Sequence, residues 1–244
     1  MTSTTTRPTA DFLTYSHTIG LSAMQGRGFY YPSDTAIGKD GQLYTVNRSL
    51  EGDTRGMRVT VYDLDSNFSH VFSKYGAKAG EMIWPTAIAL DAEGKVYVSD
   101  EDTNRINIFD RTGNFLSAWG ARGSDEGQFD GPSGLAFDRN DNLHVVDHRN
   151  HRVQRFTRDG RFISSFGTNG SADGQFNFPW GVTVDAAGEV YVADWRNDRI
   201  QRFTPNGDFL GSYGGSGSGD GELCRPSSIA VDADGYLYVA DWGN

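Results

Sequence analysis

The chain is poor in the residues that disulfide frameworks and nucleic acid surfaces require. Its 244 residues include one cysteine, Cys224, so an intrachain disulfide is excluded and the fold does not depend on an oxidising compartment. The 22 Lys and Arg stand against 32 Asp and Glu, which gives a formal net charge of -10. Because nonspecific binding to nucleic acid depends on clustered Lys and Arg, this balance argues against a nucleic acid partner.

Long apolar runs are also missing. No segment approaches the roughly 18 consecutive apolar residues of a membrane span. The opening stretch is polar and has no apolar core of a signal peptide. We therefore expect a disordered N-terminal tail over residues 1–14, no membrane contact and a cytoplasmic location.

What the sequence does have is an internal repeat. Equivalent segments begin at prolines separated by 53, 47, 47 and 47 residues, namely Pro32, Pro85, Pro132, Pro179 and Pro226. A fixed period of this length is typical of an array of one supersecondary unit. The unbroken array predicts a single domain over residues 15–244.

One repeat predicts four short strands separated by turns. In the third copy, the alternating residues 135–137 form the first strand, and the polar turn around Asp141 leads to a second strand over 143–147. A third strand follows at 152–156, and Gly160 turns the chain into a fourth at 162–166. Four antiparallel strands with glycine turns and no helical periodicity are typical of a propeller blade. The sequence therefore predicts an all-β propeller.

The motifs resemble NHL repeats. Gly127-Gln128-Phe129 precedes Pro132 and Gly174-Gln175-Phe176 precedes Pro179, and each copy continues with a Tyr-Val-Ala-Asp-like strand and then Asn-x-Arg-[Ile/Val]-Gln-x-Phe. The resemblance implies an NHL-type β-propeller of four-stranded antiparallel blades. It says little about activity, because one propeller fold serves many unrelated functions.

The resemblance also implies a larger ring than this chain can build. NHL propellers are typically six-bladed, which at about 47 residues per blade needs roughly 280 residues. We count four full blades, half of a fifth that breaks off at Asn244, and an N-terminal closing strand where Tyr15 to Gly20 aligns with Phe115 to Gly120. We expect an incomplete six-bladed ring cut from a longer propeller. A five-bladed ring that lacks one strand in its final blade is the alternative.

The copies disagree most directly after the acid of the second strand. We predict a ligand-binding ring from these variable positions, since loops at a channel mouth often carry function and Trp and Arg are frequent binding anchors. Its residues are Arg48, Glu101, Asp102, His148, Arg149, Trp195, Arg196 and Trp242. The favoured hypothesis is a non-catalytic scaffold that binds a protein, a peptide or a small polar ligand there. Neutral sequence variation at exposed positions would explain the differences between the copies equally well.

Two further patterns are interpreted as structural. Asp100, Asp147 and Asp194 are each followed five residues later by an arginine, which predicts charge-assisted hydrogen bonds that brace the loop. His148 and His151 could share an ion, but zinc needs three or four ligands and no third is evident, so we expect no metal site and no cofactor. An amidating-lyase-like or lactonase-like enzyme with His148 or a metal as its acid-base group is the alternative function.

Overall fold

The computed structural model describes residues 15–20, 22–23, 26–49 and 52–244. Over these residues the chain forms eighteen β-strands and two single-turn 3-10 helices. The tail predicted for residues 1–14 lies outside the described residues. The 3-10 turns, His148–Asn150 and Trp195–Asn197, follow directly after second strands of blades.

Four antiparallel sheets have four strands each, in the order of the sequence. The first comprises β1 (Pro32–Ile37), β2 (Gln42–Asn47), β3 (Arg58–Asp63) and β4 (Phe68–Phe72). The second comprises β5 (Pro85–Leu90), β6 (Val96–Asp100), β7 (Arg105–Phe109) and β8 (Phe115–Trp119). The third comprises β9 (Pro132–Phe137), β10 (Asn142–Asp147), β11 (Arg152–Thr157) and β12 (Phe162–Phe166). The fourth comprises β13 (Pro179–Val184), β14 (Val190–Asp194), β15 (Arg199–Phe203) and β16 (Phe209–Gly214).

A fifth sheet has two strands, β17 (Pro226–Val231) and β18 (Leu237–Asp241). The predicted strands are confirmed, with one systematic difference at their start. Each first strand begins at its proline rather than two or three residues later, because the proline already faces the last residue of the second strand, as Pro132 faces Asp147 and Pro32 faces Asn47. The acid after the first strand is a turn residue, since Asp138 Oδ1 accepts from the backbone N–H of Asn140 and of Asn142 at 2.9 Å.

The core lies between neighbouring sheets. In the cluster between the second and third blades, Ile106 and Phe129 pack with Leu143 and Phe156, all of them fully buried. Trp119 covers the outer end of this cluster, with its ring centroid 4.7 Å from that of Phe156. Burial of apolar surface between sheets therefore holds one blade to the next.

The first strands surround a central channel. Along the chain, β1 lies beside β5, β5 beside β9, β9 beside β13 and β13 beside β17. A cavity of about 420 Å³ is lined by residues from all five of these strands. The architecture is therefore an all-β propeller, with four four-stranded blades and the two-stranded sheet over the described residues.

The predicted N-terminal closing strand is wrong for this structure. Residues 15–20 form no strand and lie against the turn after β3, where His17 Nε2 is 2.8 Å from Leu64 O. A strand needs a neighbouring backbone with which to pair, and the fifth sheet offers no third strand to residues 15–20. The alignment of residues 15–20 with residues 115–120 nevertheless holds at its end, because Gly20 packs against Phe29 as Gly120 packs against Phe129.

Candidate functional site

A cavity of about 530 Å³ opens at one mouth of the channel. Its walls are Tyr31, Pro32, Ser33, Arg48, Thr86, Trp180, Trp195, Ser227 and Trp242. Several of these residues also line the channel itself, so the cavity continues into the central axis. Three predicted ring residues, Arg48, Trp195 and Trp242, meet here.

The loop that carries Trp195 is held rigidly by its own blade. β14 ends at Asp194, whose carboxylate accepts from the backbone N–H of Asn177 at 2.7 Å and from Arg199 Nε at 2.9 Å. The 3-10 turn Trp195–Asn197 is followed by Asp198, which has a left-handed φ of 51°. The buried acid therefore fixes the direction in which Trp195 leaves the sheet.

Arg48 is a half-buried cation in the cavity wall. Its Nε donates to the carbonyl oxygen of Pro85 at 2.7 Å, and its Cζ lies 5.2 Å from the ring centroid of Trp84 and 5.9 Å from that of Trp180. Burial lowers the pKa of Arg48, and the nearby Glu101 carboxylate partly offsets this effect. A guanidinium stays protonated at neutral pH despite such a shift.

Arginines alternate with aromatic rings along the rim. Arg196 Cζ lies 4.4 Å from the ring centroid of Phe178 and 5.3 Å from that of Trp195. Arg225 Cζ lies 5.4 Å from the ring centroid of Trp195 and 5.6 Å from that of Trp242. These distances are those of cation–π contacts, so the rim is both aromatic and cationic.

His148 lies behind the cavity wall and does not line it. The imidazole is buried, and its Nδ1 lies 3.0 Å from Pro179 O, so Nδ1 carries the proton and donates. Its ring centroid is 4.7 Å from that of Trp180. Burial lowers the pKa of His148 to about 4. A neutral His148 thus supports Trp180 from beneath.

Glu101, Asp102 and Arg149 lie in a different cavity, of about 400 Å³, between the second and third blades. Arg149 forms an ion pair with Glu101, and its Nη1 is 3.5 Å from Asp130 Oδ1. The structure therefore does not bring these three predicted residues to the channel mouth. Arg149 crosses to the preceding blade and neutralises Glu101 there.

His151 braces neighbouring blades. Its Nδ1 accepts from the backbone N–H of Phe178 at 3.1 Å. Asp198 is the equivalent residue of the next blade, and its Oδ1 accepts from the backbone N–H of Arg225 at 2.8 Å. Within the described part of the chain, no group of three His, Cys, Asp or Glu side chains is arranged to hold a metal ion.

The predicted acid–arginine brace is confirmed in two blades. Arg152 Nε donates to Asp147 Oδ2 at 2.8 Å, and the fourth blade repeats the contact between Arg199 and Asp194. The second blade departs from the prediction, because Arg105 donates to the carbonyl oxygens of Lys78 and Glu81 instead of to Asp100. The carboxylate of Asp100 is occupied by backbone N–H groups, among them those of Ile83 and Trp84.

Sequence reasoning missed the residues on either side of each repeat's proline. Trp180 follows Pro179, and Tyr31, Phe178 and Arg225 each precede a proline. The last three have left-handed φ values of 45°, 54° and 61°. Such strain at non-glycine residues clusters at functional sites. The signal was available, since these positions vary between copies as strongly as those after the second-strand acid.

One carboxyl group faces the channel. Asp34 lies in β1 where the other first strands carry small residues, and it accepts from the backbone N–H of Ile88 at 2.9 Å. Burial in the channel wall raises the pKa of Asp34 to about 6. No sequence pattern distinguishes Asp34 from the other acidic residues.

Comparison with known families supports the repeat assignment. Residues 129–156 and 176–203 match the family model of the NHL repeat. The third and fourth blades therefore carry NHL repeats, which confirms the resemblance seen in the motifs. No curated protein matches the chain.

Solved structures share the fold at low sequence identity. A streptogramin B lyase is 15% identical with a TM-score of 0.65, over 91% of this chain and 65% of that chain. A gluconolactonase from Xanthomonas campestris is 16% identical with a TM-score of 0.60, over 85% and 68%. An auxiliary nutrient binding protein from Bacteroides ovatus is 17% identical with a TM-score of 0.61, over 86% and 56%. The chain spans just under two thirds of the lyase's length.

The structure also bears on membrane spanning. Among the described residues, no helix has the length and apolar character that crossing a membrane requires.

Proposed function

We propose that this propeller is a non-catalytic binding protein that captures its ligand in the cavity at the channel mouth. The observation that carries the proposal is the convergence of Trp180, Trp195 and Trp242 on one cavity with Arg48. Tryptophan and arginine are the residues most enriched among binding anchors. The cavity volume of about 530 Å³ suits a small molecule or a side chain of a peptide or protein.

The hydroxyl groups of the cavity support binding rather than nucleophilic catalysis. Ser33, Thr86 and Ser227 each donate to a backbone carbonyl oxygen, at 3.4, 3.3 and 3.1 Å. A serine or threonine nucleophile needs an adjacent general base. The cavity walls carry no carboxylate or imidazole over the described residues, so these hydroxyls serve as hydrogen-bonding groups for a ligand.

We further propose that the blades belong to a six-bladed ring. In β5 the first five residues are buried, whereas in β1 the equivalent strand is exposed at Ser33, Thr35 and Ile37. That difference is expected if another blade covers β1. Electron microscopy of the natural full-length protein should show six lobes in projection, and five lobes would contradict the proposal.

A lyase or hydrolase is the second candidate, and one observation favours it. Asp34 lies in the channel wall beside Ser33, and its raised pKa of about 6 suits a general acid at neutral pH. The structures of the streptogramin B lyase and the gluconolactonase show that this fold accommodates enzymes of both kinds. Turnover of a gluconolactone or a streptogramin that is lost in Asp34→Asn and retained in Trp195→Ala would favour this candidate.

Binding is tested by a ligand screen with matched variants. A metabolite library is screened for thermal stabilisation of the wild-type protein, and each hit is repeated with Trp195→Ala combined with Trp242→Ala. We expect the double variant to fold and to lose the hits. Tyr75→Ala, an exposed aromatic residue in a loop between blades, is the control and should keep them. Hits that survive the double variant would place binding elsewhere.

Binding of a protein or peptide partner is tested with the same variants, Trp195→Ala combined with Trp242→Ala and the control Tyr75→Ala. The partners and the cytoplasmic location stay predictions, as does the expected lack of nucleic acid binding. A salt-dependent mobility shift with single-stranded RNA would contradict the last of these.

A further inference from the structure

Resting on the proposed binding function, we infer that the ligand is a small molecule with an anionic oxygen group, a carboxylate or a phosphate, attached to a planar ring. The inference names the ligand class of the mouth cavity and depends on three arginines and the aromatic rings beside them. The cations are Arg48, Arg196 and Arg225.

Among the described residues, the three guanidinium groups form no ion pair. Arg48 makes one side-chain hydrogen bond, through Nε to Pro85 O, and its two Nη groups meet no acceptor among the described residues. Over the same part of the chain, Arg196 and Arg225 make hydrogen bonds through their backbone groups and none through their guanidinium groups. Each of the three lies against a tryptophan ring that lines the cavity, Arg48 against Trp180 and both Arg196 and Arg225 against Trp195.

The lack of an ion pair sets Arg48 apart from most arginines that are buried to a similar degree. Among the half-buried arginines, Arg152 is paired with Asp147, Arg155 with Asp138 and Arg199 with Asp194. The carboxylates of Glu101 and Asp100 act electrostatically on Arg48, but Glu101 is ion-paired with Arg149. A ligand that supplies an anion would explain why a half-buried guanidinium without an ion pair lies in the cavity wall, with Arg196 and Arg225 against the tryptophan rings beside it.

Arg48 is placed to bind such an anion strongly. Its side chain is half-buried in the cavity wall, so a bound anion would be screened less by water than at an exposed arginine. The planar guanidinium offers paired N–H groups that match the two oxygens of a carboxylate or phosphate. Since Nε is fixed by Pro85 O, the orientation of the fork is set before the ligand arrives.

The rings beside the cations require a planar ligand group. Trp180, Trp195 and Trp242 all line the cavity, and the ring centroids of Trp180 and Trp195 are 6.4 Å apart. Aromatic faces pair with other rings in stacked or edge-on arrangements and add affinity beyond area burial. A planar ring that carries the anion would therefore contact both kinds of residue at once.

Four probes test the inference on the whole chain. They are 2-naphthoate, 2-naphthyl phosphate, the neutral 2-naphthamide, and cyclohexanecarboxylate, which has the charge without the planar ring. Binding is measured by calorimetry at low salt. We expect 2-naphthoate or 2-naphthyl phosphate to bind at least about tenfold more tightly than the amide and than cyclohexanecarboxylate, and whichever of the two is tighter identifies the anion.

Substitutions test whether the preference for an anionic probe depends on these arginines. Arg48→Gln combined with Arg225→Gln should remove the preference for the anionic naphthyl probe over the amide. Arg161→Gln, an exposed arginine at the turn before β12, is the charge control and should bind like the wild type. Circular dichroism of each variant verifies that the propeller is folded.

The outcomes separate this inference from the proposed function. Equal binding of amide and anions that is lost in Trp195→Ala would overturn the anion and leave the binding function standing. Equal binding of cyclohexanecarboxylate and 2-naphthoate would overturn the planar ring. If no probe binds at millimolar concentration, the inference fails, and the library screen judges the binding function independently.

Discussion

Gln154 Nε2 donates to Asp147 Oδ2 at 3.0 Å inside the third blade. The same amide group donates to Gln128 O at 2.7 Å, and its oxygen accepts from Gly127 N at 3.0 Å. One glutamine thus ties the acid of the second strand to the loop between blades. In the second blade the equivalent residue is Asn107, one methylene shorter, and its buried amide makes no hydrogen bond within the described part of the chain.

Residues near Asn107 also have buried polar groups without a hydrogen bond in the described part of the chain. Thr103 stands where Asn150 donates to Asp147 in the third blade, and its hydroxyl group has no partner among the residues that the structure describes. The same holds for Arg105 Nε. A buried polar group without a partner costs about 1–3 kcal/mol, so the second blade is the least satisfied of those that share this motif.

Restoring the longer side chains should therefore stabilise the propeller. We expect Thr103→Asn combined with Asn107→Gln to raise the free energy of unfolding by about 1–3 kcal/mol, because both amides would then reach the Asp100 carboxylate. Urea unfolding measures the change. The reverse substitution in the third blade, Gln154→Asn, should lower stability by a similar amount. A double variant no more stable than the wild type would show that these groups are already satisfied in solution.

A second prediction concerns the contact between Gly120 and Phe129. Gly120 has a φ of 105°, and a Cβ there would lie 2.9 Å from Asn104 O and from the Phe129 ring. We expect Gly120→Ala to lower the free energy of unfolding by about 2–5 kcal/mol, from left-handed backbone strain and overpacking together.

Gly127→Ala is the matched control for that substitution. Gly127 has a φ of 79° and nothing within 4 Å of a Cβ, so the strain term alone applies, about 1–2 kcal/mol. Thermal or urea unfolding of the two variants separates the terms. Equal losses would mean that Phe129 moves aside without cost.

The strands could be predicted from the sequence because their signals are local. Alternating residues, a turn acid such as Asp138 and a glycine such as Gly160 specify one hairpin without reference to the rest of the chain. The closing strand at residues 15–20 failed for the opposite reason, since its formation depends on a distant partner strand. Each repeat's proline also adds pairing at the start of its strand, which the alternation does not reveal.

The candidate site was predictable only in part, because side chains at equivalent positions of the repeats point in different directions. Arg48, Trp195 and Trp242 line the mouth as predicted, whereas His148 turns beneath Trp180. Glu101 is captured by Arg149, which lies 48 residues later in the next blade. A repeat alignment shows which positions vary, but the partner that each side chain meets across a blade boundary follows from the three-dimensional packing.

His148 should make the protein sensitive to acid. Its folded pKa of about 4 lies below the unfolded value of 6.5, so the unfolded state binds the proton more readily. Its contribution is full above pH 6.5 and falls by about 3 kcal/mol as the pH drops to 4. Urea unfolding across this range should show a smaller acid loss in His148→Gln than in the wild type. His17→Gln, at an exposed position, is the control and should follow the wild type.

Asp34 should act in the opposite direction over almost the same range. Its folded pKa of about 6 exceeds the unfolded value of 3.8, so the folded state holds the proton more tightly and stability falls as the pH rises from 3.8 to 6, by at most about 3 kcal/mol. In the wild type this loss offsets the gain from His148. We expect Asp34→Asn, whose amide oxygen can still accept from Ile88 N–H, to unmask the His148 contribution as a steeper rise in stability between pH 4 and 6. Parallel pH profiles of the variant and the wild type would mean that Asp34 titrates at its ordinary pKa and is hydrated in the channel. The general-acid role that favours an enzyme would then lose its physical basis.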